Sequence, residues 1–155
     1  MKLLISIYKV FVKLYRSIFE RKKYLAIKQF NKIINTLNYS DIAIDCGANV
    51  GLFALKMASS GATVYAFEPN PYAYDELVKR TSNFPNIICY NKAVAGEASE
   101  VKLFLHEHSE QDQVKWSTGS SLLSYKGNVQ KDNFHIVEAV DFIEFINSLG
   151  KKVML

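Results

Sequence analysis

The period of apolar residues along this chain changes several times, and each change marks an element. Leu4, Ile7, Phe11, Leu14 and Ile18 recur at three- and four-residue intervals, one face of a helix. Ile27, Phe30, Ile33, Ile34 and Leu37 predict a second helix over residues 24–37, with Asn38 as its stop, covering one face of whatever sheet follows. The spacing then tightens. Ile42-Ala43-Ile44 is a short unbroken apolar run, as expected of a parallel strand buried on both faces. Leu52, Phe53, Leu55, Met57 and Ala58 return to helical spacing up to Gly61, and Thr63–Phe67 forms a second strand. Pro71 suits a first helical position, and Tyr72–Asn83 reads as a helix with Tyr74, Leu77 and Val78 inward. Ile87–Tyr90 is a third strand, Gly96–Glu100 a polar turn, and Val101–Leu105 and Phe134–Val140 two further strands. Asp141 caps a helix ending near Gly150, and residues 151–155 open one more strand. Strands alternating with helices predict an α/β domain with a parallel sheet.

Charge divides the chain where the periodicity does. Residues 1–40 hold nine Lys/Arg and one acid, Glu20, while the remainder holds ten Lys/Arg and fourteen acids. The basic character therefore belongs to an N-terminal helical extension over residues 1–40 and not to the α/β part from 41 to 155. Lys2, Lys9, Lys13 and Arg16 interrupt the first apolar run, so it falls short of the roughly 20 apolar residues of a membrane span, and no signal-peptide cleavage site follows. Two readings stay open for residues 1–20. The apolar face packs against the domain or a partner chain, or the basic amphipathic helix lies on an anionic membrane surface. A basic helix without a base-reading module gives no expectation of nucleic-acid binding. Cys46 and Cys89 both lie in apolar runs without metal spacing, which suits buried free thiols in a reducing cytoplasm. His106 and His108 have the spacing of a ligand pair, but no third ligand accompanies them, so no metal is expected.

The chemistry concentrates between Asp41 and Pro69. The pattern D-x-G-x-N-x-G, formed by Asp45, Gly47, Asn49 and Gly51, links the first strand to its helix. Glycines there permit a sharp turn and close approach of a ligand to the backbone. Free N–H groups at the helix start would favour a carboxylate or other anion. Glu68 ends the second strand, placed to accept hydrogen bonds from both hydroxyls of a ribose. The fingerprint G-x-G-x-x-G is absent, and so is a G-K-[ST] phosphate loop. A nicotinamide-dependent oxidoreductase half is thereby disfavoured, and a P-loop nucleotidase is excluded.

The turn IDCGANVGLF followed by FEPNP resembles S-adenosylmethionine-dependent methyltransferases, and more narrowly the FkbM-type family. GSSLL at 119–123 and VEAVDFIEFI at 137–146 are similar to that family's later pattern. The resemblance implies a Rossmann-like class I methyltransferase fold and S-adenosyl-L-methionine as cofactor, held by Asp45, Gly47, Ala48, Asn49, Gly51, Glu68 and Pro69. Asn91 would lie near the adenine, and Ser120 and Ser121 on the substrate side. The acceptor implied is an oxygen of a small metabolite or sugar. Against the family's seven strands this chain supplies strands 1–3, an added strand pair and the start of strand 4. It is therefore expected to be an N-terminal part of the domain, with the catalytic residues unassigned. An open sheet edge would favour self-association. The alternative from another class is a non-catalytic remnant that binds a membrane or partner through residues 1–20.

Overall fold

The computed structural model describes residues 21–22 and 24–150; the expectations for residues 1–20 and 151–155 lie outside them. The chain divides after Thr36 into two units. In the first, residues 24–34 are helical (α1), and the Thr36 hydroxyl donates to the Ile33 carbonyl at 2.7 Å beyond its last turn. Asn38, expected as a helix stop, belongs instead to the turn before the first strand. Its side chain and backbone N–H both donate to Asp41.

The second unit begins with β1 (Ile42–Cys46), α2 (Leu52–Ala58), β2 (Thr63–Phe67), α3 (Pro71–Thr81) and β3 (Ile87–Tyr90). The three strands form a parallel sheet in the order β1-β2-β3. This βαβαβ arrangement is that of half a Rossmann-like α/β fold. The middle strand carries the core: Val64 and Ala66 are fully buried and Phe67 is 1% exposed. Burial of a side chain the size of Val or Phe contributes about 1.5–3 kcal/mol, so β2 anchors the sheet. Alternation along β2 sends Tyr65 and Phe67 to one face and Val64 and Ala66 to the other.

The chain then leaves this sheet at Asn91-Lys92 and builds a second one. Its strands are β4 (Ala93–Ala95), β5 (Ser99–His106) and β6 (Val129–Asp141), ordered β4-β6-β5. β4 and β6 run parallel, and β5 and β6 antiparallel. The sequence pattern missed β4, because a three-residue strand is too short to show a period. It also placed the start of β5 two residues late and that of β6 five residues late. A final helix, α4 (Phe142–Ser148), is capped by the Asp141 side chain, which accepts from the Glu144 N–H at 2.9 Å. Its Phe145 meets the rings of Phe67 and Tyr65 edge-on, at 5.0 and 5.3 Å between centroids. That contact covers the aromatic face of the first sheet.

One inward assignment is corrected, and α2 buries a smaller face than its apolar spacing suggests. On α3 the buried stripe is Ala73, Leu77 and Thr81, four residues apart, which turns Val78 outward at 42% exposure. On α2 the small residues Ala54 and Ala58 are buried with Met57, while Leu52 and Phe53 at its first turn are exposed. The reason for so small a buried face is a close approach. At Gly51, where φ is +83°, a Cβ would stand 2.7 Å from Leu77 Cδ1. Gly51→Ala is therefore expected to cost about 2–4 kcal/mol, from overpacking and a left-handed backbone together. Urea denaturation of both proteins checks this. A companion Leu77→Ala change should recover only the overpacking part.

Candidate functional site

The turn after β1 and the turn after β2 meet at the carboxyl ends of the two strands, as open α/β sheets require of a ligand crevice. Gly47 and Ala48 both donate their N–H to the Phe67 carbonyl, at 2.8 and 2.9 Å. One residue on, the Glu68 side chain is 5% exposed, and each of its oxygens is aligned by a backbone donor. Oε2 accepts from the Asn49 N–H and Oε1 from the Asn70 N–H, both at 2.8 Å. Asn49 reaches this position with φ at +48°, a conformation asparagine tolerates better than most residues. Asn70 also caps α3, its Oδ1 accepting from the N–H groups of Tyr72 and Ala73.

Glu68 borders a cavity of about 370 Å³. Gly47, Ala48, Asn49 and Pro69 form one part of its wall, and Val50, Leu52 and Phe53 an apolar part. Leu103 of β5 and Ser117, Thr118 and Ser120 complete it. The last three belong to a turn around the 3₁₀ segment Ser117–Gly119, between β5 and β6. Among the described residues no Lys or Arg lines the cavity. A Cβ added at Gly47, where φ is +89°, would meet nothing within 4 Å, so that glycine leaves open space beside the turn.

Asp45 stands behind the turn, half-buried. One carboxylate oxygen accepts from the Ala54 N–H at the start of α2, while Oδ2 has no partner. Burial pushes the Asp45 carboxyl above its ordinary range. Burial does the same to Glu68, against the lowering effect of its two backbone donors, and the nearby charge of Asp45 adds to the rise. The site is thus rich in acceptors. The N–H groups of the turn before α2 are largely spoken for: those of Gly47, Ala48, Asn49 and Gly51 all bond within the protein.

The remaining expectations divide. Asn91 lies at the end of β3, but its amide donates to the carbonyls of Glu68 and Pro69, at 2.8 and 3.3 Å, and does not line this cavity. It secures the strand end that presents Glu68. Ser120 lines the cavity, whereas Ser121 forms a backbone bridge to Phe104. Ser117, Thr118, Asn70 and Leu103 were not anticipated. For Ser117 and Thr118 the sole sequence signal is the Ser/Thr/Gly content of residues 117–121, since the fold, not spacing, carries residues 117–120 to the turn at 47–50. Cys46, expected in the core, is exposed, because it ends β1 where the sheet opens. Partial desolvation and the charge of Asp45 push its thiol up, so it stays protonated at neutral pH. His106 is a packing residue: its ring stacks on Trp116 at 4.6 Å and its Nδ1 accepts from the His108 N–H. Among the described residues no group of three His, Cys, Asp or Glu side chains is placed to hold a metal ion. No helix among them is long and apolar enough to cross a membrane.

No protein-family model matches the chain, and no curated protein sequence does. Solved structures do resemble it in part. TYW2 of P. horikoshii in complex with MeSAdo is 22% identical at a TM-score of 0.39, over 43% of this chain and 27% of that one. An rRNA methylase from Streptococcus thermophilus is 20% identical at 0.40, over 43% of this chain and 39% of the other. The 23S rRNA methyltransferase ErmE is 24% identical at 0.37, over 41% and 27%. The chain thus spans well under half the length of each.

The raised carboxyls set a sign for acid behaviour. A carboxyl whose folded pKa exceeds its unfolded one costs stability when charged, and the cost is relieved as pH falls through the folded value. Asp45→Asn keeps an acceptor for the Ala54 N–H and removes the charge. It is expected to melt no lower than the parent at pH 7, with its relative advantage shrinking on acidification. Thermal melts of both proteins between pH 7 and pH 4 check this, and an advantage growing toward low pH would contradict it.

Proposed function

We propose that the cavity is a nucleoside site for S-adenosyl-L-methionine and that the chain is the cofactor-binding part of a methyltransferase. One observation carries the reading: among the described residues, the only charged side chain on the cavity wall is a buried carboxylate whose two oxygens are both oriented by backbone N–H groups. Each oxygen keeps a second lone pair for a donor. A ribose diol supplies two such donors, and hydrogen bonds to a charged acceptor are worth about 1.5–3 kcal/mol each. The acceptor-rich wall, with Asp45 behind it, also favours a ligand bearing positive charge. S-adenosyl-L-methionine carries a sulfonium and an ammonium, and when bound it supplies an electrophilic methyl group. A dinucleotide would instead bring a pyrophosphate to a wall where the described residues offer no cationic side chain and the turn N–H groups are largely bonded already.

In this reading Gly47 leaves room for the ligand backbone, Glu68 orients the ribose, and Leu52 and Phe53 shield the cavity from water. Asn49 and Asn91 hold Glu68 in place from either side. The resemblance of IDCGANVGLF and FEPNP to the FkbM-type family points to an oxygen of a small metabolite or sugar as the methyl acceptor. Positioning of acceptor and methyl group in line supplies much of the acceleration in such transfers.

Calorimetric titration with S-adenosylhomocysteine tests the assignment. Micromolar binding is expected, at least tenfold weaker in Glu68→Ala, corresponding to about 1.4 kcal/mol or more. NAD should bind more weakly than S-adenosylhomocysteine. The reverse order would overturn the reading. Affinity should also fall on acidification as Glu68 takes up its proton, starting above the ordinary glutamate range, and this dependence should vanish in Glu68→Gln. Methyl transfer from labelled cofactor to hydroxylated small molecules, compared with an rRNA fragment, then decides the acceptor class.

A further inference from the structure

Three hydroxyls from the turn between β5 and β6 reach the cavity wall, and they are not equivalent. Ser117 Oγ accepts from the Asn49 side-chain amide at 2.6 Å and donates to the Val114 carbonyl at 2.6 Å. Ser120 Oγ accepts from the Asn70 side-chain amide at 3.4 Å. Both donors come from residues whose backbone N–H groups align Glu68. The two serines therefore tie this turn to the same pair of asparagines that present the carboxylate.

Thr118 lies between these ties. It borders the cavity and is exposed to solvent, and its hydroxyl has no protein hydrogen-bond partner among the described residues. The turn has little freedom to withdraw. A Cβ at Gly119 would stand 2.1 Å from the His106 ring, so the backbone there rests directly on that ring. Trp116 stacks on the same His106 ring with an interplanar angle of 21°. A hydroxyl held on a fixed turn at a cavity wall, bonded to solvent and to no protein group, is a preorganised contact for a ligand that displaces that solvent.

We infer that Thr118 is a ligand-recognition residue of the nucleoside site, and that Ser117 is a positioning residue that fixes its turn through Asn49. The inference rests on the nucleoside reading of the cavity. The Thr118 hydroxyl accepts from or donates to the polar groups of the bound nucleoside-amino acid, on the wall that the β1 and β2 turns do not supply. No bond is made or broken in this role.

The test uses the full chain, with S-adenosylhomocysteine as probe and calorimetry as readout. Thr118→Val keeps the shape and removes the hydroxyl, and it should weaken binding about fivefold, within the range of one neutral hydrogen bond. Thr118→Ser keeps the hydroxyl and should bind within about twofold of the parent. Trp116 is the only tryptophan in the chain, so its fluorescence reports the turn directly. The emission should be unchanged in both Thr118 variants and altered in Ser117→Ala, with Ser117→Thr restoring emission and affinity together. Thr118→Val binding as tightly as the parent would overturn the inference while leaving the nucleoside reading intact. Equal losses in Val and Ser, or a Val variant that does not fold, would assign Thr118 a purely structural role. A parent chain that binds no S-adenosylhomocysteine overturns the nucleoside reading and this inference with it.

Discussion

The Glu68 carboxylate, with a backbone N–H on each oxygen, fixes the turn after β1 against the turn after β2. Burying a charge is costly unless it is hydrogen-bonded, and here the bonds come from the two segments that must be held at a set distance. Burial holds its pKa above the ordinary glutamate value despite the two backbone donors. Much of the surrounding structure serves this group. Gly51 lets α2 approach α3 closely enough to bring the first turn into reach. Asn91 clamps the carbonyls on either side of the Glu68–Pro69 bond. Asn70 joins the carboxylate to the start of α3.

The second sheet contributes in a different way. It supplies Leu103 and the turn at 117–120 to a cavity that the first sheet leaves open on one side. It also supplies α4, whose Phe145 packs edge-on against the aromatic face of β2 and β3. A parallel sheet needs cover on both faces. Packing and site-building are thus coupled: the element that shields one sheet face belongs to the insertion that walls the cavity.

Much of the fold was legible where the physics is local. The strands β1, β2 and β3 are short apolar runs, and Gly61 and Pro71 between them and Asp141 before α4 supply standard turn and cap chemistry. The carboxylate position was legible too, because strand 2 ends in an acid after a glycine turn of recognisable spacing. What stayed hidden depends on contacts between residues far apart in sequence. Asn49 and Ser117 are 68 positions apart, and nothing in either neighbourhood announces their bond. Ala93–Ala95 becomes a strand only because β6 lies beside it. Cys46 looks like core by its neighbours, and it is the end of the sheet that exposes it. The glycine at 51 was read as a ligand-facing residue, yet its near neighbours are Leu77 and Thr81.

Amide hydrogen exchange with and without S-adenosylhomocysteine tests the central claim most directly, because the claim names the amides involved. A ligand held by Glu68 should slow exchange at Asn49 and Asn70 and across residues 117–120 together, while the β5–β6 pairing at 129–137 stays unchanged. Saturating ligand that protects neither Asn49 nor Asn70 would contradict the claim that this carboxylate organises the site.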